Sequence, residues 1–402
     1  MRILERKSAP TAVNLFLPYL PPYPGAGSIR ALSFVNGLVA ESRRRGLEIK
    51  IRVFTATRNP TPIDGAEVHQ LKFTAPENNL SFARRLWGEL LLGGGAAYEI
   101  LQKGRNTDIL LASSPPFIPS LMLGLLVSAF RRRYVLDIRD LYPLVYADAK
   151  LISKDSLLYR WLEKLEHAWL GRASLVFGAT GGLARHIRAT GTKARVETLY
   201  NGFPEKLREI RTAKRERFTA CFHGILGQFQ DIEGLVEVAK RLLPHGIDVV
   251  VVGYGAKEKI LTGAIPANLQ FLGRQSFEDT MKIVSSCHIG LCLRRDGEIS
   301  RDAFPVKVWE YVGLGLPAVV TPFCEAGEFL ESRECGVQFE TGDLDKLVQW
   351  IVSMRDNPAQ YRAHVEACHA VGTEFTRESV GIAAARIILD GHFEQGLHTL
   401  SR

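Results

Sequence analysis

Short runs rich in valine, isoleucine and leucine alternate with amphipathic stretches along the whole chain, and that alternation admits few folds. In the first half the strand candidates are 12–17, 50–55, 108–112, 134–138, 174–178 and 195–200, with helices such as Ser28–Ser42 and Ser156–Leu170 between them. In the second half they are 219–223, 248–252, 269–272, 289–293 and 318–321. Over 201–218 the alternation stops, in a stretch with Gly202, Pro204 and dense charge, and then it restarts. Two doubly wound α/β domains account for this more economically than one very wide sheet. The expected division is 1–203 and 204–375, with a last helical segment, 376–402, packing back toward the first domain.

With 402 residues, 46% of them hydrophobic and 23% charged, the chain has the composition of an ordinary globular protein with two cores. Its longest apolar run, Phe117–Phe130, contains a proline and is too short to span a bilayer. The N-terminal stretch is broken by Pro18, Pro21 and Pro22 and does not read as a secretory signal. All six cysteines lie in the second half without metal spacing, as expected of a reduced cytoplasmic protein. The net charge of +8 is uneven: residues 1–200 hold 28 Lys+Arg against 16 Asp+Glu, the remainder 23 against 27. Basic clusters stand at Arg43–Arg45, Arg84-Arg85 and Arg131–Arg133. They direct attention to an anionic partner of the first half, a membrane surface or a diphosphate-bearing lipid. No recognition helix, zinc finger or RNP-type pattern accompanies the charge, which excludes a nucleic-acid reading.

Ligands of open α/β sheets bind beyond the carboxyl ends of the strands. The first such turn, 21–28, carries Gly25, Gly27 and Ser28, where backbone can approach an anion and Ser28 can cap a helix. Arg30 occupies the third glycine position of a dinucleotide fingerprint, and the second strand ends without an acid, so a nicotinamide cofactor is disfavoured. Asp137, Arg139 and Asp140 follow another strand; they are either an internal ion pair or groups open to ligand. In the second half, Gly224, Gly227 and Gln228, then Gly253, then Gly273 and Arg274, end successive strands. The densest segment is 294–317. There Arg301 and Asp302 precede a short helix entered at Pro305, with Lys307 in its first turn and Glu310 three residues on. A cation at a helix N-terminus opposes the dipole unless an anion binds beside it. Glu310 could accept hydrogen bonds from two vicinal ribose hydroxyls.

Together these residues resemble the GT-B glycosyltransferases of family 4, over nearly the whole chain. Phe304-Pro305-Val306-Lys307-Val308-Trp309-Glu310-Tyr311 through Gly315-Leu316-Pro317 is similar to that family's donor-binding signature, and 137–143 looks like the D-x-R-D-x-W-P stretch of bacterial O-antigen and capsule enzymes of the fucosaminyltransferase kind. The resemblance implies two Rossmann-like domains facing across a cleft and a retaining transfer of a sugar from a nucleotide diphosphate donor. It assigns Glu310 to the ribose, Gly273 and Arg274 to the base, and Lys307 to the diphosphate. Gly25, Gly27 and Ser28 would meet the donor phosphates or the acceptor, with Arg139 and Asp140 among the reacting groups. The resemblance implies neither metal nor cofactor; the nucleotide sugar, of the uridine class by family frequency, is a substrate. The family's usual Arg and Lys after the first strand of the second domain are missing from Gly224–Gln230, leaving Lys307, Arg301 or Arg294 to supply that charge, and Asp302 replaces a glutamate. The expected setting is surface-polysaccharide assembly at the inner face of the cytoplasmic membrane, on a lipid-diphosphate or saccharide acceptor, with Arg84–Trp87 attaching the protein peripherally. A scaffold without activity and a sugar-nucleotide epimerase remain the alternatives.

Overall fold

The computed structural model describes residues 12–23, 25–76, 82–104, 107–129, 132–148 and 151–398; Pro24 of the first glycine turn, Phe130 and Arg131 lie outside them. The chain forms two compact units, Met1–Asn201 with Arg377–Arg402, and Gly202–Thr376. Each is a doubly wound parallel sheet, so the fold expected from the alternation is the one observed.

The first unit holds β1 (Ala12–Phe16), β2 (Lys50–Thr55), β3 (Glu67–Gln70), β4 (Ile109–Ser114), β5 (Arg133–Ile138), β6 (Leu175–Gly178) and β7 (Arg195–Thr198) in the order β3-β2-β1-β4-β5-β6-β7. Its helices are α1 (Ala26–Arg45), α2 (Phe82–Lys103), α3 (Phe117–Ala129), α4 (Leu144–Asp148), α5 (Leu157–Leu170), α6 (Gly181–Ala189) and the chain's terminal helix, Arg377–His398. Side chains alternate across the sheet, so one face packs on α2, α3 and α5 around Phe117, Tyr134 and Trp169. The other packs on α1 and the terminal helix around Phe34, Phe177 and Ile388.

In the second unit β8 (Thr219–Ile225), β9 (Asp248–Tyr254), β10 (Leu269–Phe271), β11 (Ile289–Leu293), β12 (Ala318–Thr321) and β13 (Gly336–Gln338) run in the order β10-β9-β8-β11-β12-β13. Between them lie α7 (Ile232–Leu242), α8 (Glu258–Leu261), α9 (Phe277–Ser286), α10 (Glu298–Arg301), α11 (Val306–Gly313), α12 (Glu325–Ser332), α13 (Leu344–Asp356) and α14 (Pro358–Ala370). The core gathers β8, β9 and β11 against α7 and α13. The stretch 201–218 is tied to this unit by side chains that cap helix C-termini. Arg208 donates to the carbonyls of His369 and Val371 at the end of α14, and Lys214 to those of Ser285 and Cys287 at the end of α9.

Two strands went unforeseen, β3 and β13, both at sheet edges. Edge strands are short and half-wet, and neither Glu67–Gln70 nor Gly336–Gln338 has a continuous apolar run. Helix α1 begins at Ala26, two residues before Ser28. Gly25, at φ 107°, makes the N-cap turn, so Ser28 is buried inside the first turn and caps nothing. The Arg43–Arg45 cluster closes α1 before Gly46, which takes the left-handed conformation. Its charge is largely spent: Arg43 meets Asp64, while Arg44 and Arg45 converge on buried Glu41. The Arg44 contact leads in holding the Glu41 carboxyl down at about 2.

Helix α1 and the terminal helix cross at glycines. A Cβ on Gly37 would stand 2.1 Å from the Gly381 carbonyl carbon and oxygen. Gly37→Ala is expected to cost about 2 kcal/mol and lower the calorimetric Tm, because backbone cannot step aside as a side chain does. Gly94→Ala, in open space within α2, is expected to gain about 0.5–1 kcal/mol through the helix propensity that glycine lacks.

Candidate functional site

At the carboxyl end of the second sheet, three glycine turns interlock through backbone. A Cβ on Gly253 would lie 2.1 Å from the Gly224 carbonyl oxygen, and the Gly253 amide donates to the Gly273 carbonyl at 2.9 Å. Gly224, at φ 112°, and Gly273, at φ 64°, turn in the left-handed half of backbone space. The sequence separates these turns by tens of residues; parallel strand order makes them neighbours. Gly227 lies in the turn after β8, and Gln228 beside it is exposed.

Into this floor comes the first turn of α11. Pro305 is the N-cap in extended conformation, so the helix starts at Val306 rather than at the proline. Lys307, second in the helix, is 8% exposed and Glu310 6%, which rules out an exposed surface pair. The Lys307 ammonium stands 3.5 Å from the centroid of the Phe222 ring, hydrogen-bonds the Gln230 side-chain oxygen at 3.2 Å, and lies beside Gly224. Burial, and secondarily Arg294, lowers its pKa to about 8, with Cys292 and Glu310 opposing. The turn without basic residues therefore has a cation after all, delivered from a helix 83 positions on in the sequence.

Around these two, His223 at the end of β8 is buried and places Nε2 3.6 Å from Glu310 Oε2. Burial and the nearby Lys307 push its pKa down to about 3, so the imidazole is neutral. Reading from the sequence passed over His223 and Gln230. The first looks like one more strand residue, and the second sits two positions beyond the residue the turn pattern singled out. Arg274 lies over the Tyr254 ring at 4.4 Å, at the outer end of β9. Arg301 is turned away toward Asp296 and Glu340, with which it forms ion pairs, and Asp302 is exposed. Arg294 is buried, its Nε donating to Ser300. Of the three candidate cations, Lys307 is the one held at the Gly224 turn.

In the first unit the charged cluster after β5 divides. Asp137 is fully buried; its Oδ1 accepts from Arg30 Nε at 2.7 Å and its Oδ2 from the Ser113 hydroxyl at 2.8 Å. Arg30 also donates to the Leu199 carbonyl. An internal ion pair does exist, but its cation is the residue at the third glycine position of the first turn. Arg139 is left for another role. Its guanidinium donates to the Pro115 carbonyl and covers Gly27, whose Cβ would meet Nη1 at 2.2 Å. The Arg139 Nε is buried and has no hydrogen-bond partner among the described residues. Asp140 is half-exposed. Gly25, Gly27, Arg139 and buried Ser28 thus gather at the start of α1, in a unit of their own. Among the described residues no group of three or more His, Cys, Asp or Glu could hold a metal ion.

Residues 204–369 match the family model described as glycosyl transferases group 1, and residues 32–202 match a glycosyl transferase 4-like domain. No curated protein matches the sequence. Among solved structures, HepE of Anabaena in complex with UDP is 16% identical at a TM-score of 0.61, over 97% of this chain and 99% of that one. WaaG, a glycosyltransferase involved in lipopolysaccharide biosynthesis, is 13% identical at 0.61, over 94% and 99%. Sucrose-phosphate synthase of Thermosynechococcus elongatus is 12% identical at 0.65, over 97% and 100%. At such identities these three establish the shared architecture.

Asp137→Ala would leave the Arg30 guanidinium buried without its carboxylate, and is expected to cost about 3–5 kcal/mol in chemical denaturation. Asp140→Ala is expected to cost about 0.5 kcal/mol or less. The double change Arg30→Met with Asp137→Leu should recover much of the loss, since no charge is then stranded.

Proposed function

We propose that this chain, which belongs to the GT-B glycosyltransferases, moves a hexosyl group from a UDP-sugar to a lipid-diphosphate-linked or saccharide acceptor with retention at the anomeric carbon. The observation that carries the donor reading is the buried ammonium of Lys307 at the Gly224 turn, one helical turn before Glu310. A diphosphate seated there would meet the ammonium, the first amides of α11 and the amides of the 224–227 turn. These charges and dipoles are fixed before the reaction begins and so favour the departing diphosphate. Glu310 would accept from the ribose hydroxyls, with neutral His223 behind it. Gly273 and Arg274 would border the base, at the end of β10. The complex of HepE with UDP supports uridine as the nucleotide.

In this reading the sugar leaves its diphosphate and is attacked on the same face by the acceptor hydroxyl, whose proton passes to the departing phosphate oxygen. Lys307 supplies the positive charge that a metal supplies in other transferases. Arg139 and Asp140, with Gly25, Gly27 and Ser28, would serve the acceptor or the donor phosphates from the first unit; exposed Asp302 would lie toward the sugar, while Arg301 stays paired with Asp296 and Glu340. The role of WaaG in lipopolysaccharide biosynthesis supports placing the reaction in surface-polysaccharide assembly, which we set at the cytoplasmic face of the membrane.

Calorimetric titration with UDP-, GDP-, ADP- and TDP-sugars in EDTA tests the donor site. One nucleotide class should bind at micromolar concentration, at least about tenfold more weakly in Glu310→Ala. Absence of binding by every class, or a requirement for metal, would sink the reading. Because Lys307 loses its proton through about pH 8, affinity should fall roughly tenfold from pH 7 to pH 9, with no such fall in Lys307→Met.

A further inference from the structure

Helix α2 is 22 residues long, about 33 Å, and besides Leu92, Ala96 and Ile100, which enter the core, it carries a second apolar set that faces outward. Trp87 is 63% exposed and Tyr98 62%, with Leu90, Leu91 and Leu101 also open to solvent. Their spacing of three, four and seven residues makes one continuous stripe. Of the two acids of this helix, Glu89 faces inward, fully buried, where it pairs with Arg85 and accepts from the Ile118 amide, and Glu99 pairs with Lys103 in the last turn. Of the Arg84-Arg85 cluster, only Arg84 is exposed.

The stripe has a counterpart in the same helical layer. Helix α3 packs against both α2 and α5. On α5, Leu157 is 82% exposed and Trp161 57%, and Lys164 continues their line. Between them Leu125 of α3 is exposed too. Arg84, Arg160 and Lys164 flank these side chains, and none has a carboxylate partner among the described residues. The exposed carboxylate of α5, Glu163, is two residues from Trp161 and so faces elsewhere.

We propose that the α2–α3–α5 face lies in the surface of an anionic lipid bilayer, with Trp87, Tyr98 and Trp161 at headgroup depth. The proposal rests on the lipid-linked acceptor suggested above and names the surface by which the protein would reach it. Three features select a bilayer over a protein partner or a second copy. Tryptophan and tyrosine present an apolar ring with one polar atom, which suits the interface between hydrocarbon and water. The cations at the edge, Arg84, Arg160 and Lys164, have no carboxylate partner among the described residues and are complementary to anionic headgroups. The apolar residues form long ridges rather than a pocket, as in helices that lie in the membrane plane. No described helix is long and apolar enough to cross a membrane, so the contact would be to one leaflet.

Vesicle co-sedimentation of the full chain tests this, with phosphatidylcholine alone or mixed with phosphatidylglycerol. The wild type should partition at least about tenfold more strongly to the anionic vesicles. The variant Trp87→Gln/Tyr98→Gln/Trp161→Gln should lose about tenfold or more of that binding. Arg84→Gln/Arg160→Gln/Lys164→Gln should lose the preference for anionic lipid. Titration with UDP should be unchanged in both variants, which reports folding and separates this face from the donor site. Failure of UDP binding with vesicle binding as described would overturn the donor reading and support the face. Vesicle binding that is absent, or indifferent to both variants, overturns the proposal. So does a wild-type dimer in sedimentation that the aromatic variant dissolves, because the face would then join two copies.

Discussion

The ammonium of Lys307 is held where a charge is costly. Water is excluded, the helix dipole points its positive end at it, and Arg294 adds to the positive field. What offsets this is a short inventory: the face of Phe222, the amide oxygen of Gln230 and the carboxylate of Glu310 one turn on. The remainder of the second unit serves that placement. Parallel strands bring the ends of β8, β9 and β10 to one side, and bare glycine backbone at 224 and 253 lets two turns touch without side chains between them. A residue with a Cβ at Gly253 would separate the turns and open the floor on which the ammonium rests.

The first unit solves the opposite problem. There the charges at a strand end are neutralised inside the protein, with Arg30 reaching from α1 to Asp137 under the start of the helix. This pair fixes where α1 begins relative to β5, and so where Gly27 meets the Arg139 guanidinium. Buried Glu41 and Glu89 act similarly, each drawing in arginines that look free along the sequence. The positive excess of the first half is thereby thinned at α1 and concentrated elsewhere, with Arg84, Arg160 and Lys164 left beside exposed tryptophans.

The sequence by itself determined the architecture. Runs such as Val249–Val252 and Leu291–Leu293 are buried on both faces, which only a parallel sheet covered by helices provides, and the interruption before Thr219 divides two such sheets. It also singled out Lys307 and Glu310, since a basic residue in the first turn of a helix and an acid three residues on form a local pattern. Which partners those residues take was decided by tertiary structure alone. Arg30 and Asp137 are 107 positions apart, and Lys307 and Gln230 are 77 apart. Nothing within a few residues of either marks the other. Exposure was decided there too: Trp87 and Trp169 are the same residue type on similar helices, but one meets solvent and the other the core. Local periodicity fixes which side chains share a helix face, whereas only packing against the rest of the fold fixes the direction in which that face points.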